Sequence, residues 1–171
     1  DESWNTIVEN PTGWHRTTPF TESELLAKEE WHRDQTRQAQ SVDRMITAIR
    51  AQLVTSGLAS TTWIVFVGDN GSHFAEHALN QFKSTPFDHD TKTTLIIRPP
   101  GGTTGRNESA IVQCCDLHNT FREIAGLSED TTLDGRSLVD FVTGTPPGTW
   151  RQTALMSFDT DGPTWEDQKG S

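Results

Sequence analysis

Apolar residues enter the chain first as a helical stripe and then as two unbroken runs. Val42, Met45, Ile46, Ile49 and Leu53 fall at i, i+3, i+4, i+7 and i+11, which puts their side chains on one face of an α-helix. Thr21 followed by Glu24 forms a capping-box pattern, so the spacing predicts one long, largely polar helix from that point to a stop at Gly57. Trp63-Ile64-Val65-Phe66-Val67 is apolar at every position, as suits a strand covered on both faces in a parallel sheet. Leu95-Ile96-Ile97 is a second such run, ended by Pro99-Pro100-Gly101-Gly102, and residues 71–91 between the two read as a polar loop.

Further on, a helix is predicted over Asp116–Ala125, with Leu117, Phe121 and Ile124 inward and Gly126 closing it. A turn at Asp134-Gly135, a short helical piece over Leu138 and Phe141, and a strand starting at Ala154-Leu155-Met156 complete the pattern. Residues 1–20 read as an irregular lead, 21–158 as the core and 159–171 as a polar, frayed tail. The order helix, strand, loop, strand, helix implies an α/β sandwich. Two or three strands need neighbours on both edges, so the rest of the sheet is expected from a segment N-terminal to this chain.

Composition sharpens the picture. At 171 residues the chain has the length of one domain, yet only 32% of it is apolar, which again suggests a core shared with other residues. It begins with Asp1, as expected of a processed chain or a piece of a longer one. A formal charge of −10 argues against a nucleic-acid partner, because phosphate contacts need clustered Lys and Arg. It leaves open an anionic ligand, since a metal ion and one lysine make a locally positive pocket. No apolar run approaches the roughly 18 residues of a membrane span. Cys114 and Cys115 are sequence neighbours without zinc-type spacing and read as small packing residues.

In open α/β sheets, sites gather beyond the carboxyl ends of strands. Asp69 and Asn70 follow just after Val67 and offer hard oxygen donors suited to Ca²⁺ or Mg²⁺ rather than zinc. By itself Asp-Asn-Gly is also an ordinary turn.

A longer series of motifs changes the weight of that pair. Gly68-Asp69-Asn70-Gly71-Ser72-His73-Phe74-Ala75-Glu76-His77 resembles the sulfatase stretch S-D-N-G-Y-H-x-G-E-H. Lys83-Ser84-Thr85-Pro86-Phe87-Asp88-His89-Asp90-Thr91-Lys92 is similar to K-x-T-P-Y-E-x-D-x-R, and Leu95-Ile96-Ile97-Arg98-Pro99-Pro100-Gly101 to P-L-I-V-R-G-P-G. Gln40-Ser41-Val42-Asp43-Arg44-Met45 upstream, and Asp116-Leu117, Phe121–Leu127 and Asp134–Leu138 downstream, keep the same register. The chain thus resembles the sulfatase family of the alkaline phosphatase superfamily, near the N-acetylglucosamine-6-sulfatase-like enzymes and arylsulfatases, from about Trp31 to Leu155. Ser72, Ala75 and Lys92-Thr93-Thr94 depart from the usual Tyr, Gly and R-V-P.

The resemblance implies an alkaline-phosphatase-like sandwich with a mostly parallel central sheet, of which this chain is the C-terminal part. It implies a sulfuric ester hydrolase acting on sulfated sugars or glycosaminoglycans, in a secreted, periplasmic or lysosomal setting. Asp69 and Asn70 would be two ligands of a Ca²⁺ ion, Mg²⁺ being the weaker candidate, and Lys83 would be catalytic, holding a sulfate oxygen with its ammonium. His73 and His77 would line the substrate pocket, or serve as loop histidines making structural hydrogen bonds. The family nucleophile is a formylglycine made in a C/S-x-P-x-R motif. Cys114-Cys115-Asp116-Leu117-His118 lacks the Pro and Arg, and Ser84-Thr85-Pro86-Phe87-Asp88 has Asp in place of Arg. The nucleophile is therefore expected outside these residues, and the chain alone is expected to be inactive. A phosphodiesterase or phosphonate hydrolase of the same superfamily, a non-catalytic degenerate module, and a plain α/β domain with a chance turn are the competing readings. The phosphorus-directed enzymes often carry Asp-His where this chain has Asp69-Asn70.

Overall fold

A capping box opens the first helix of the computed structural model, which describes residues 16–79, 83–102 and 104–156. The Thr21 side chain accepts from the Glu24 backbone N–H, and the Glu24 carboxylate accepts from the Thr21 backbone N–H at 2.8 Å. Those two bonds satisfy donors that a helix start otherwise leaves orphaned. Helix α1 runs Glu22–Thr55 and ends as the sequence predicts. Gly57 takes a positive φ of 72°, and the N–H groups of Gly57 and Leu58 bond back to the carbonyls of Val54 and Leu53.

The stripe on α1 is helical but not covered. Val42, Ile46 and Leu53 are half-buried, whereas Met45 and Ile49 stand about half exposed and no residue of α1 is fully buried among those described. Periodicity fixes which face is apolar. Burying that face needs an opposing surface, which the described residues do not supply.

Strands β1 (Ile64–Val67) and β2 (Leu95–Arg98) follow where the apolar runs place them. They pair with each other antiparallel, Ile64 opposite Arg98 and Val67 opposite Leu95. The expectation that these runs lie in parallel pairing is therefore corrected for this pair. Neither strand is covered on both faces, as Val67 and Ile96 are exposed and the rest are half-buried. An all-apolar strand reports that both faces seek cover and carries no information on the direction of its neighbour.

The polar loop expected over residues 71–91 is largely irregular, and part of what is described of it packs. A 3₁₀ turn at Glu76–Ala78 buries Ala75, Ala78 and Leu79, and a short helix α2 spans Asp88–Thr91. Phe20 is buried as well, and the Arg16 N–H donates to the Ala78 carbonyl, tying the entry of α1 to this loop. Trp31 and His32 on α1 meet the Phe74 ring at centroid distances of 4.9 and 4.6 Å.

A second packed group forms around α3 (Asp116–Ile124) and α4 (Val139–Thr143), where Leu138 and Phe141 are buried and the Trp150 ring stands edge-on to Phe141 at 4.8 Å. The inward face predicted for α3 holds only in part, with Leu117 and Ile124 half-buried. Phe121 is 49% exposed, and Asp116, Asn119 and Thr120 are the buried residues. Their polar atoms are all engaged. Asn119 donates to the carbonyls of Gly135 and Asp130 and accepts from the Asp130 N–H, and the Thr120 hydroxyl accepts from the Leu138 N–H. Hydrogen bonding to the following loop thus outranks the apolar stripe in choosing the inner face. The strand expected at Ala154-Leu155-Met156 is also absent, for these residues are irregular and Leu155 is 88% exposed. The tail expected from 159 lies outside the described residues.

Candidate functional site

Strand β1 releases the chain at Gly68, whose N–H donates to the Thr94 carbonyl just before β2. Asp69 and Asn70 follow on the exposed rim of that turn. The Asp69 carboxylate accepts the Asn70 backbone N–H at 2.9 Å, and the Asn70 Nδ2 donates to the Gly71 carbonyl at 2.6 Å. With the amide nitrogen spent on the backbone, the Asn70 Oδ1 is the free acceptor. Lys83 comes back to it from the next loop, its Nζ 3.4 Å from that oxygen. Asn70 and Lys83, 13 positions apart, thus bring an ammonium group and an amide oxygen to one spot. Sequence spacing alone does not fix such a return.

The loop carrying Asn70 lies tightly against α2. The Gly71 N–H donates to the Asp90 carbonyl at 2.8 Å, and a Cβ on Gly71 would stand 2.0 Å from the His89 carbonyl oxygen. The backbone is also bent hard here. Ala75, His77, Ala78 and Ser84 all have positive φ, an unfavourable region for residues with a Cβ. Ala75, at φ 122°, stands where the sulfatase pattern writes Gly.

The two loop histidines take different places. His73 is fully buried, with its Nδ1 2.8 Å from the Asp90 Oδ1, and its Nε2 meets no partner among the described residues. One ring nitrogen thus makes a structural hydrogen bond. His77 is exposed, its ring stacked on Phe87 at 5.9 Å and edge-on to His89 at 5.7 Å. Asp90, a position of the lysine motif to which the motif alone assigns no role, accepts both from His73 and, on its other oxygen, from the Thr85 N–H and hydroxyl at 2.8 and 2.6 Å.

As donors, Asp69 and Asn70 suit a hard cation, offering a carboxylate and an amide oxygen on an exposed turn. They supply two oxygens of the about six to eight that Ca²⁺ takes. Among the described residues there is no group of three or more His, Cys, Asp or Glu side chains gathered for a metal.

Residues 7–127 match the Sulfatase family model, most of the chain and all of the site just described. The chain belongs to the sulfatase family. Human N-acetylglucosamine-6-sulfatase is 29% identical to this sulfatase chain over 146 residues, covering 85% of it and 26% of the human protein. The arylsulfatase of Volvox carteri is 28% identical over 139 residues, covering 77% and 21%. The chain spans about a quarter of the length of the curated sulfatases it matches. Among solved structures, a protein in complex with its substrate D-glucosamine-2-N,6-O-disulfate superposes with a TM-score of 0.66 at 26% identity, over 73% of this chain and 26% of that one. The phosphonate monoester hydrolase of Agrobacterium radiobacter superposes at 0.64 with 31% identity, over 75% and 26%. The fold is thus that of the alkaline-phosphatase-like sulfatases and phosphonate hydrolases. No helix among the described residues is long and apolar enough to cross a membrane.

Proposed function

We propose that this chain is part of an enzyme that hydrolyses sulfate esters of sugars, and that Asp69, Asn70 and Lys83 form its contribution to the active site. The observation that carries this reading is the 3.4 Å approach of the Lys83 Nζ to the Asn70 Oδ1. A cation held by Asp69 and Asn70 would supply Lewis-acid polarisation of a sulfate oxygen. Lys83 would add a second positive charge beside it. Sulfate carries its negative charge on peripheral oxygens, and charge builds toward the leaving oxygen as the S–O bond breaks. A point charge on a flexible stem, fixed next to the metal ligands, opposes that build-up without having to transfer a proton. Asn70 then has two tasks, offering its Oδ1 to the cation and holding the ammonium near it. The nucleophile, a formylglycine by family resemblance, would come from outside these residues, so the 171-residue chain alone would release no sulfate. Sugar as the leaving group is supported by the glucosamine disulfate bound to the solved neighbour and by the names of the relatives.

The phosphonate monoester hydrolases among the structural neighbours, at 31% and 36% identity, support a second reading, hydrolysis of a phosphonate or phosphate diester. Assay of the full-length protein on N-acetylglucosamine 6-sulfate and on an aryl phosphonate monoester separates the two. The expected outcome is sulfate release that Lys83→Ala lowers by about 100-fold or more in kcat with the fold retained. Wild-type turnover by Lys83→Ala would remove Lys83 from the site, and preference for the phosphonate would install the second reading.

A further inference from the structure

Asp90 is more than nine-tenths buried and uses every acceptor it has on the two loops that make up the site. Its Oδ1 lies 2.8 Å from the His73 Nδ1, three residues after Asn70. Its Oδ2 accepts from both the N–H and the hydroxyl of Thr85, two residues after Lys83. Its backbone carbonyl accepts from Gly71, adjacent to Asn70. His73 and Thr85 are themselves buried, so these bonds do not exchange readily with water. Both loops are strained, with positive φ at Ala75, His77 and Ala78 in the first and at Ser84 in the second. A strained loop keeps one geometry only when its surroundings hold it there.

We propose that Asp90 is a positioning residue, its two carboxylate oxygens tying the Asn70 loop to the Lys83 loop and so setting the distance at which the ammonium meets the amide oxygen. Its consequence for rate rests on the sulfate-ester reading above; its consequence for geometry does not. Asp90 itself touches neither cation nor substrate. A carboxylate suits this post because it accepts on both oxygens, whereas an amide must turn a donor toward one of the two loops. Asp90→Asn therefore sets an N–H against the Thr85 donors, or against His73, which accepts it only by moving its own proton to the buried Nε2, where it meets no partner among the described residues, so one of the two ties is weakened either way.

The test is a double-mutant cycle in the full-length protein, with sulfate release as the readout. Asp90→Asn is expected to lower kcat by about 10- to 100-fold with KM moving less, as a misplacement of about 1 Å does. Added to Lys83→Ala it is expected to cost nothing further, because the group it positions has gone. Wild-type kcat in Asp90→Asn, or losses that multiply in the double variant, would overturn the proposal. If Asp90→Asn does not fold, Thr85→Val against Thr85→Ser decides. The Ser variant is expected to keep the rate and the Val variant to lose several-fold, with that loss absent on the Lys83→Ala background. Equal rates in the two would count against the proposal. The Asn70 side-chain amide resonance, read by NMR in the selectively labelled full-length protein, is expected to shift in Asp90→Asn. A shift there with a fully active Lys83→Ala would remove the sulfate-ester role while leaving the tie between the loops standing; an unmoved resonance would overturn the tie itself.

Discussion

Asp116 and Arg151, 35 residues apart, meet in a two-point ion pair with nitrogen–oxygen distances of 2.5 and 2.7 Å. The carboxylate is fully buried and also accepts from the backbone N–H groups of Gln113 and Arg136. One side chain thereby holds the start of α3, the turn after Gly135 and the segment following Trp150.

Removing one partner of this pair leaves a buried charge uncompensated. Arg151→Met is expected to lower stability by about 3 kcal/mol, read by denaturant unfolding. The pair also sets an acid limit. Burial pushes the Asp116 carboxyl up, but hydrogen bonds from Arg151 and from the Arg136 and Gln113 backbone outweigh it, and the net shift is below the ordinary value of 3.8. A lowered folded-state value means stability that is full above 3.8, declines as pH falls below it, and is gone past the folded value. Thermal melts from pH 6 downward should show this loss in the wild type and a shallower one in Asp116→Asn. Parallel curves would show that Asp116 does not supply it.

Gly71→Ala is expected to be far worse than its size suggests. The added carbon would sit 2.0 Å from the His89 carbonyl oxygen and 2.5 Å from that of Lys92, both backbone atoms with little room to move. Destabilisation of about 2 kcal/mol is expected, with loss of sulfate release even where the protein still folds. A Gly71→Ala protein with unchanged melting and rate would mean that this loop is looser than its contacts imply.

Calcium dependence probes the two proposed ligands directly. In the full-length protein, Asp69→Ala is expected to raise the calcium concentration needed for half-maximal activity by about tenfold or more, and Asn70→Ala by less, because the carboxylate brings charge as well as an oxygen. Calcium titration of the purified variants by calorimetry provides a readout independent of turnover. Unaltered affinity in both variants would relocate the metal.

Much of the local structure was legible in the sequence because its causes are local. The Thr21–Glu24 cap, the Gly57 stop and the apolar runs of both strands depend on residues within a few positions of each other. Strand direction was not legible, since Val65 and Ile97 read the same in either pairing. Nor was the inner face of α3, where Asn119 and Thr120 win by hydrogen bonds to residues 11 to 18 positions away, a distance that periodicity does not sense. Around the site, the Asp-Asn turn and the lysine were readable as motif positions. Asp90 lies inside the lysine motif, but its value comes from reaching two loops at once, which only the folded chain displays.

The β1–β2 ribbon carries a consequence for handling the protein. Among the described residues each strand has one ladder partner, so each also presents a row of backbone donors and acceptors on its outer side. With Ile96 and Val67 exposed on the same ribbon and Met45 and Ile49 on α1, the isolated chain has both a template and a sticky surface for other copies. Its solution behaviour should therefore depend on protein concentration, and coexpression with whatever completes the sheet should be what keeps it monodisperse.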